Sequence, residues 1–370
     1  MRRIIGMAAL AIVIVMAAAA CGAKSADQVV ADLDQVVSKL ESYQGSGKMT
    51  LHTGEQPQEY NVEVWYKTPH YYRIALTNAQ KDITQIVLRN DEGVFVLTPH
   101  LNKMFRFQSD WPEKSGQVYL YQSLVQSIVM DTRRQFAEEK DAYVFDVAAN
   151  YQNSLLARQK IWLSKKDYAP RHVEVTDDNS KTMVTVDFTH FEFGKKFDKD
   201  SFDMERNMAT SRLQTLPTGA SANVGDLSAG GTGDADAKAA GSTGSGGKAG
   251  NTAAAQAEQR IITPQYVPQG VKQQDMKEVK LGEEKAILFR YSGTYNYTLL
   301  ESTPQARTVT TLPGDIVELG YTLGVLTGDA QGLRTLTWTH DGIEFRLTTS
   351  DLPQDEMLRI AQSVQGQVGK

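Results

Sequence analysis

Chemistry in this sequence could come from a lone cysteine and from two histidine–glutamate pairs. Cys21 is the only cysteine in the chain, and it directly follows Ala18, Ala19 and Ala20. Small residues before a cysteine at the end of an apolar run form a lipobox, in which the thiol is alkylated by diacylglycerol. Cleavage then leaves the cysteine as the new N-terminus, so the sequence predicts lipidation of Cys21.

The residues before Cys21 have the pattern of an export signal. Met1, Arg2 and Arg3 form a short basic region, and residues 4–20 are apolar or small throughout. We predict a signal peptide at 1–20 and a lipidated N-terminus at 21–24, at the extracytoplasmic face of the cell membrane. The predicted partner is therefore the outer leaflet of the cytoplasmic membrane. The alternative is a short transmembrane anchor, for which residues 4–20 lie at the lower limit of length.

The histidine–glutamate pairs could provide metal ligands. His172 with Glu174, and His190 with Glu192, each place two side chains on one face of a strand. Pairing Thr176 with Lys181 across the intervening turn sets residue 172 opposite 185, so the two pairs do not face each other. We interpret them as solvated strand residues and predict no metal and no cofactor.

Sequence motifs of enzymes are also missing from the chain. No G-x-S-x-G, Walker A, G-x-G-x-x-G or H-E-x-x-H sequence occurs. The formal net charge is −5, from 39 basic and 44 acidic residues, which is unlike proteins that hold nucleic-acid phosphates. The sequence predicts a protein that is not an enzyme and does not bind nucleic acid.

The elements that would position any site alternate between helix and strand. Apolar residues recur at helical spacing from Ser25, where Ser25 and Gln28 fit a capping box, so we predict a helix over 25–43. From Gly47 the period changes to two, which predicts an antiparallel meander with tight turns. A second helix is predicted over 118–130. Further strands are predicted at about 134–138, 143–149, 155–164, 171–177 and 181–193, with a bulge near Thr189.

The remainder of the chain divides at a segment of small residues. Residues 208–256 are rich in Gly, Ala, Ser and Thr, which predicts a flexible linker with an r.m.s. span of ~35–42 Å. Residues 257–370 are predicted to form a small α+β domain, with a final helix capped by Ser350 or Asp351. Its strands are expected at about 285–291, 295–302, 315–323, 333–339 and 343–349.

An apolar surface is the remaining functional signal of the first domain. Its strands carry many aromatic residues, and an antiparallel sheet of this size must cover one face. Either the two helices simply complete a core, or a hollow large enough for acyl chains lies beneath the helix at 118–130. The residues predicted to line this hydrophobic groove are Val62, Val64, Tyr66, Tyr72, Ile74, Phe105, Phe107, Tyr121, Leu124 and Ile128.

A set of short sequences resembles a known superfamily. The set is VEVWYK at 62–67, YYR at 71–73, IVLRN at 86–90, GVFVLTP at 93–99, FRFQSDWP at 105–112 and YLYQSL at 119–124. It is similar to the LolA/LolB lipoprotein-carrier superfamily, and most similar there to the YdcC-type sporulation lipoproteins. The resemblance implies that residues 25–207 form an unclosed antiparallel β-barrel plugged by helices. It also implies a lipidic or lipopeptide ligand and an envelope role in sporulation or germination.

The C-terminal part supports a second hypothesis. WTHDG at 338–342 resembles a hairpin of exported anti-sigma-factor partners. The pairing of a LolA-like domain with a small C-terminal domain resembles the RseB/MucB sensors, which implies an interaction module for an envelope protein. Those sensors lack a lipobox, and the soluble LolA carriers shuttle between membranes, which a chain anchored at Cys21 does not do. An enzyme remains the third hypothesis.

Overall fold

A computed structural model of the chain places its secondary structure in two antiparallel sheets. The structure describes residues 24–52, 56–107, 117–151, 156–214, 261–281, 284–303, 310–312, 314–328, 332–340 and 342–364. Within those residues the fold is α+β, and both sheets are open, with an edge strand at each end. The predicted fold class, an unclosed antiparallel sheet with helices followed by a smaller α+β unit, is confirmed.

The larger sheet is built almost entirely from the first half of the chain. Its strand order is β15-β6-β5-β4-β3-β2-β1-β11-β10-β9-β8-β7, in which β15 pairs with β6 in parallel and every other neighbour is antiparallel. The strands are β1 Ser42–Leu51, β2 Gln58–Lys67, β3 Tyr71–Asn78, β4 Thr84–Asn90, β5 Gly93–Thr98, β6 Lys103–Phe107, β7 Gln135–Glu138, β8 Ala142–Ala148, β9 Arg158–Ser164, β10 Pro170–Thr176 and β11 Thr182–Phe193. A 3₁₀ turn, Pro99–Leu101, joins β5 to β6.

Three helices cover the two faces of the larger sheet. They are α1 Ala26–Ser38, α2 Tyr121–Met130 and α3 Met204–Gln214. We call the face that carries Val62 and Ile74 the inner face, which packs with α1 and α2 in the main core. The opposite, outer face carries Ile86 and Phe95 and packs against the segment that leads into α3. Within β4 the two faces alternate, since Val87 belongs to the inner face and Ile86 and Leu88 belong to the outer face, which is the period-two pattern of a sheet covered on both sides.

The smaller sheet comes from the C-terminal part of the chain. Its order is β12-β13-β14-β19-β18-β17-β16, and all of its neighbours are antiparallel. The elements are β12 Val271–Leu281, β13 Glu284–Gly293, β14 Tyr297–Ser302, β15 Thr310–Leu312, β16 Asp315–Glu318, β17 Leu323–Thr327, β18 Arg334–His340, β19 Ile343–Thr349 and α4 Gln354–Ser363. β15 leaves this part of the chain and joins the larger sheet, so the two sheets are linked.

The first helix starts as predicted and ends earlier. The backbone N–H of Gln28 donates to Ser25 Oγ at 3.3 Å, and the N–H of Ser25 donates to Gln28 Oε1 at 2.9 Å, which confirms the capping box. The helix ends at Ser38 instead of residue 43, because the chain from Ser42 pairs with both β2 and β11. Two complete ladders outweigh the helical propensity of the intervening residues.

Strand β11 has the predicted bulge near Thr189 in its pairing with β1, and its register with β10 differs from the predicted one. Thr176 pairs with Thr182, and His172 pairs with Asp187, two residues beyond the predicted partner. The predicted register was wrong because Lys181 belongs to the turn, where its carbonyl accepts from Asp177 N–H at 3.0 Å. A shift of two keeps the same side chains on each face, so the apolar pattern alone does not exclude it.

The bulge itself lies where β11 crosses β1. The pairing shifts between Ser46 and Gly47, which skips Thr189. A Cβ atom on Gly47 would lie 2.2 Å from the carbonyl oxygen of Asp187. Glycine is therefore required at this close backbone approach.

The C-terminal part differs from its predicted elements in four places, one of which is the unpredicted short strand β15. The strand expected at 315–323 is two strands, because the chain reverses between β16 and β17 through Gly320, whose φ is +84°. The strand β12 was not predicted, since it is an exposed edge strand rich in charged residues. The final helix has Pro353 as its N-cap rather than Ser350 or Asp351, and the Asp351 carboxylate accepts from Asn296 instead.

The predicted linker is only partly within the described residues. Helix α3 runs through residues 208–214, which were predicted to be linker. The stretch 215–256 lies outside the described residues, as do the signal peptide and Cys21.

Candidate functional site: the inner face

The predicted groove residues all lie on the inner face, in one continuous apolar cluster. Nine of them are buried, and Tyr72 is half-buried and packs against the others. They are Val62, Val64, Tyr66, Tyr72, Ile74, Phe105, Phe107, Tyr121, Leu124 and Ile128. The structure therefore brings the predicted residues together. Their role in holding a ligand stays a prediction.

Helix α2 covers one part of the inner face through a tyrosine on β1. Tyr43 is fully buried, and its hydroxyl donates to Gln122 Oε1 at 2.9 Å. The Tyr43 hydroxyl oxygen also accepts a hydrogen bond from the backbone N–H of Tyr121 at 3.4 Å. The N-cap residue of α2, Leu120, makes no capping hydrogen bond with its side chain. Tyr43 thus satisfies one of the unpaired donors at the start of α2. Burial raises the pKa of Tyr43 well above its usual range, so the hydroxyl stays protonated.

Aromatic rings fill the space between α2 and the sheet. Tyr43 stacks on Phe191 with ring centroids 5.0 Å apart, and Tyr121 meets Phe193 edge-on at 5.1 Å. Tyr66 also lies 5.4 Å from Tyr43. We call these five residues the helix-covered part of the inner face. Their contacts are the edge-to-face and offset arrangements of a closed aromatic core, rather than the lining of an open hollow.

The smaller sheet covers the rest of the inner face. Leu323 and Trp338 from this sheet, with Phe105 and Phe107 from β6, border a cavity of about 10 Å³. We call these four residues, together with Leu51, the sheet-covered part of the inner face. The void is smaller than the space of one water molecule, so the two surfaces are packed closely.

Polar contacts run through the sheet-covered part. The Lys103 ammonium pairs with the Glu344 carboxylate, and the two side chains are only 4% and 15% exposed. The Thr322 hydroxyl donates to Gln85 Oε1 across the same junction. The Lys103 Nζ atom also lies 4.5 Å from the centre of the Phe105 ring. An ion pair of this kind fixes orientation, but its desolvation offsets much of its attraction.

A larger cavity lies at the other end of β1, between the two sheets. Its volume is about 30 Å³, which is the space of one or two water molecules. It is lined by Met49, Leu51, Val118, Tyr151, Leu156, Val184, Glu318, Leu319, Gly320 and Gln362. Burial raises the pKa of Glu318 to about 8, because a charged carboxylate is poorly solvated there.

The histidine–glutamate pairs lie apart from this face. His172 Nδ1 is 2.7 Å from Asp187 Oδ1, and His190 Nε2 is 3.7 Å from Glu192 Oε2. Both are partly exposed to solvent. Among the described residues no group of three His, Cys, Asp or Glu side chains could hold a metal ion. No helix within the described ranges is long and apolar enough to cross a bilayer.

Sequence reasoning missed several residues of the inner face. Tyr43 was assigned to the first helix, although Tyr43, Gly45 and Gly47 already alternate in the manner of the strand that follows. The sequence predicts a bulge near Thr189 but does not indicate that Phe191 and Phe193, which follow it, pack against Tyr121 of α2. Glu318 gave no signal, because a single glutamate in a strand does not reveal that its side chain faces a distant part of the chain.

The chain matches known families along both of its parts. Residues 1–202 match the family "Sporulation protein YdcC-like", and residues 261–364 match a domain family of unknown function, DUF4367. The sporulation protein YdcC of Bacillus subtilis strain 168 is 40% identical over 360 residues, which covers 96% of this chain and 95% of that protein.

Solved structures give more distant likenesses. A MucA/MucB complex of Pseudomonas aeruginosa aligns with 92% of this chain and 99% of its own, at 12% identity and a TM-score of 0.31. A LolA superfamily protein of Nitrosomonas europaea aligns with 50% of this chain and 100% of its own, at 12% identity and a TM-score of 0.28. The family assignment rests on the sequence matches alone. By those matches, this chain belongs to the YdcC-like family of sporulation proteins.

Proposed function

We propose that this protein is a membrane-anchored extracytoplasmic lipoprotein that binds a lipidic or lipopeptide ligand on its inner face. It acts without catalysis in an envelope process of sporulation or germination. The observation that carries the proposal is the composition of the inner face. It is one apolar surface with two covers, of which the C-terminal cover is joined to it partly by polar contacts.

The anchor part of the proposal rests on Cys21. Only three residues separate Cys21 from the capping Ser25, and fully extended they span ~10 Å. The first domain is therefore held beside the outer leaflet, and two acyl chains on Cys21 make that attachment stable. Replacing Cys21 with Ala should release the protein from membranes in a carbonate wash. Continued membrane association of the variant would contradict lipidation.

The ligand part of the proposal rests on the sheet-covered part of the inner face. Gln85, Lys103 and Phe105 meet the C-terminal part of the chain there, and they are joined by an ion pair and a hydrogen bond as well as by apolar packing. Polar contacts re-form with water when two surfaces separate, whereas a purely apolar junction has no such compensation. Movement of the smaller sheet would uncover Phe105 and Phe107 for an acyl chain.

The test is mass spectrometry of an organic extract of the full chain, purified from a host that exports it. Removing the C-terminal part first would delete β15 and expose the inner face, so the full chain is the right sample. We expect about one lipid molecule per chain. Phe105→Asp should lose that lipid, while Met130→Asp, at an exposed position, should retain it. A well-folded chain without any lipid would contradict the proposal.

A second candidate function, a protein-interaction module, is favoured by β12. This strand pairs only with β13, and most of its residues are exposed, including Met276 at 48%. An unpaired strand edge can accept a strand from a partner. Cross-linking at the membrane tests this function. A stoichiometric complex that survives detergent would favour it over lipid binding, and its absence would count against it.

A further inference from the structure

The cavity at the end of β1 carries a carboxylate with no partner. Glu318 ends β16, at the edge of the smaller sheet, and its side chain lines the cavity between the two sheets. No described residue donates a hydrogen bond to it or forms an ion pair with it. The side chain is half-buried, because it retains access to the cavity. A carboxylate in this position would be stabilised by a donor that the chain itself does not supply.

One buried tyrosine shares the cavity with Glu318. Tyr151 lines the same cavity, and burial raises the pKa of its phenol well above the usual range. The Tyr151 hydroxyl already donates to Gln159 Oε1, so it offers only acceptor lone pairs to another group.

The rest of the lining is mostly apolar, with Tyr151 and Gln362 as its polar members, and it contains no cation. Met49, Leu51 and Val184 come from the larger sheet, and Leu156 and Leu319 complete the apolar wall. Lysine and arginine are absent from the residues that line the cavity. The cavity therefore combines an acidic acceptor with an apolar wall. A ligand that matches both has a cationic donor attached to a hydrocarbon chain.

We propose that this cavity binds a primary amine carried on an alkyl chain, with Glu318 as the counter-ion of the ammonium group. This inference rests on the proposed lipid binding and specifies where the polar end of the ligand lies. The volume of about 30 Å³ admits the ammonium group, and the chain follows the apolar wall as Met49 and Leu156 move aside. The ammonium donates to the Glu318 carboxylate, and no covalent bond forms.

The test uses three probes of equal chain length that differ only in the head group. Dodecylamine, dodecan-1-ol and dodecanoate are titrated below their micelle concentrations into the chain from residue 22 onward, which contains every described residue. Binding is followed by calorimetry at pH 9, where the Glu318 carboxyl, with its pKa of about 8, is mostly ionised and the alkylammonium is still protonated. We expect the amine to bind at least ~10-fold more tightly than the alcohol, and dodecanoate to bind most weakly, because charge-assisted hydrogen bonds are the strong ones.

Two variants locate the effect. Glu318→Gln should abolish the preference for the amine and leave the alcohol unchanged. Glu301→Gln is the matched control: Glu301 is also a buried carboxyl with a pKa raised to about 8, but it accepts from Ile262 N–H and does not line the cavity. The Glu301→Gln variant should therefore still bind the amine more tightly than the alcohol. The melting temperature of each variant is measured alongside, and the comparison of the three probes on the unchanged chain does not depend on either variant.

Each outcome separates this inference from the proposed function. If all three probes bind equally, the inference is wrong and lipid binding stands. If the amine preference persists in Glu318→Gln, the ammonium binds elsewhere and the inference is wrong. If none of the probes binds, the proposed lipid binding itself is contradicted.

Discussion

The two covers of the inner face differ in what holds them. In the helix-covered part, Tyr43, Tyr121 and Phe191 form a continuous aromatic packing, and the Tyr43 hydroxyl accepts from the first turn of α2. In the sheet-covered part, an ion pair between Lys103 and Glu344 lies among the apolar contacts. In the proposed function, the helix is a permanent cover of this apolar surface and the smaller sheet is a cover that can separate.

The difference has a physical origin. Helix α2 is joined to the larger sheet by short connections within the same half of the chain, so its contacts form together with the sheet. The smaller sheet begins after residue 260 and reaches the inner face from far along the chain. Polar groups at such a junction fix the relative orientation of the two surfaces but contribute little net stability. Apolar packing contributes more stability, and it is non-directional.

The largest effect should follow from a charge in the helix-covered part. Leu124 is fully buried in α2, so Leu124→Asp should lower the free energy of unfolding by ~4 kcal/mol or more. Met130→Asp is the control on the same helix, because Met130 is 62% exposed, and it should change stability by less than ~0.5 kcal/mol. Denaturant titration measures both. Similar stabilities for Leu124→Asp and Met130→Asp would contradict the close packing of α2 on the inner face.

A smaller effect should follow from breaking the ion pair of the sheet-covered part. Lys103→Ala removes the more deeply buried cation of Glu344, which keeps Arg346 Nη2 at 3.3 Å, and it should cost ~2 kcal/mol in the docking of the smaller sheet. The control is Lys48→Ala, since Lys48 pairs with Glu59 at 2.6 Å in solvent and such pairs contribute ~0–1 kcal/mol. Lys103→Met combined with Glu344→Met should recover most of the loss. A double variant as unstable as Lys103→Ala would contradict this account of the pair.

The sequence predicted more of the helix-covered part than of the sheet-covered part. Period-two alternation placed Val62 to Tyr66 on one face, and helical spacing placed Leu124 and Ile128 against it, because both patterns are local. The Lys103–Glu344 pair joins residues 241 positions apart, and Glu318 lines its cavity together with Met49 from the first strand; no local pattern encodes such contacts. The missed β15 illustrates the same limit, since a three-residue strand has no period.

The pH dependence of stability should also distinguish the two parts. The folded pKa of Glu318 is raised to about 8 from an ordinary value of 4.5, so the folded state favours the protonated form. Stability is therefore fully present below pH ~4.5 and is lost as the pH rises toward 8. Between pH 5 and pH 8, the melting temperature of the Glu318→Gln variant should decrease less than that of the unchanged chain. Glu301, whose pKa is also raised to about 8, should account for part of the remaining slope. An unchanged slope in Glu318→Gln would contradict the placement of this carboxyl.

The smallest effect should come from the capping box of α1. Ser25→Ala removes the acceptor for Gln28 N–H and should cost ~1 kcal/mol. Ser38→Ala, at the other end of the same helix, is the control, because its hydroxyl only donates to the Gln35 carbonyl, and its effect should be smaller. Denaturant titration compares the two, and a larger loss in Ser38→Ala would be contrary to expectation.

Hydrogen–deuterium exchange of the full chain, with and without Lys103→Ala, tests the separable cover most directly. The account predicts faster exchange in β6 and in β15–β18, while β1, β2 and α2 around Tyr43 keep the protection of the unchanged chain. Equal acceleration throughout both sheets would show that the two covers separate as one cooperative unit, and would contradict the account.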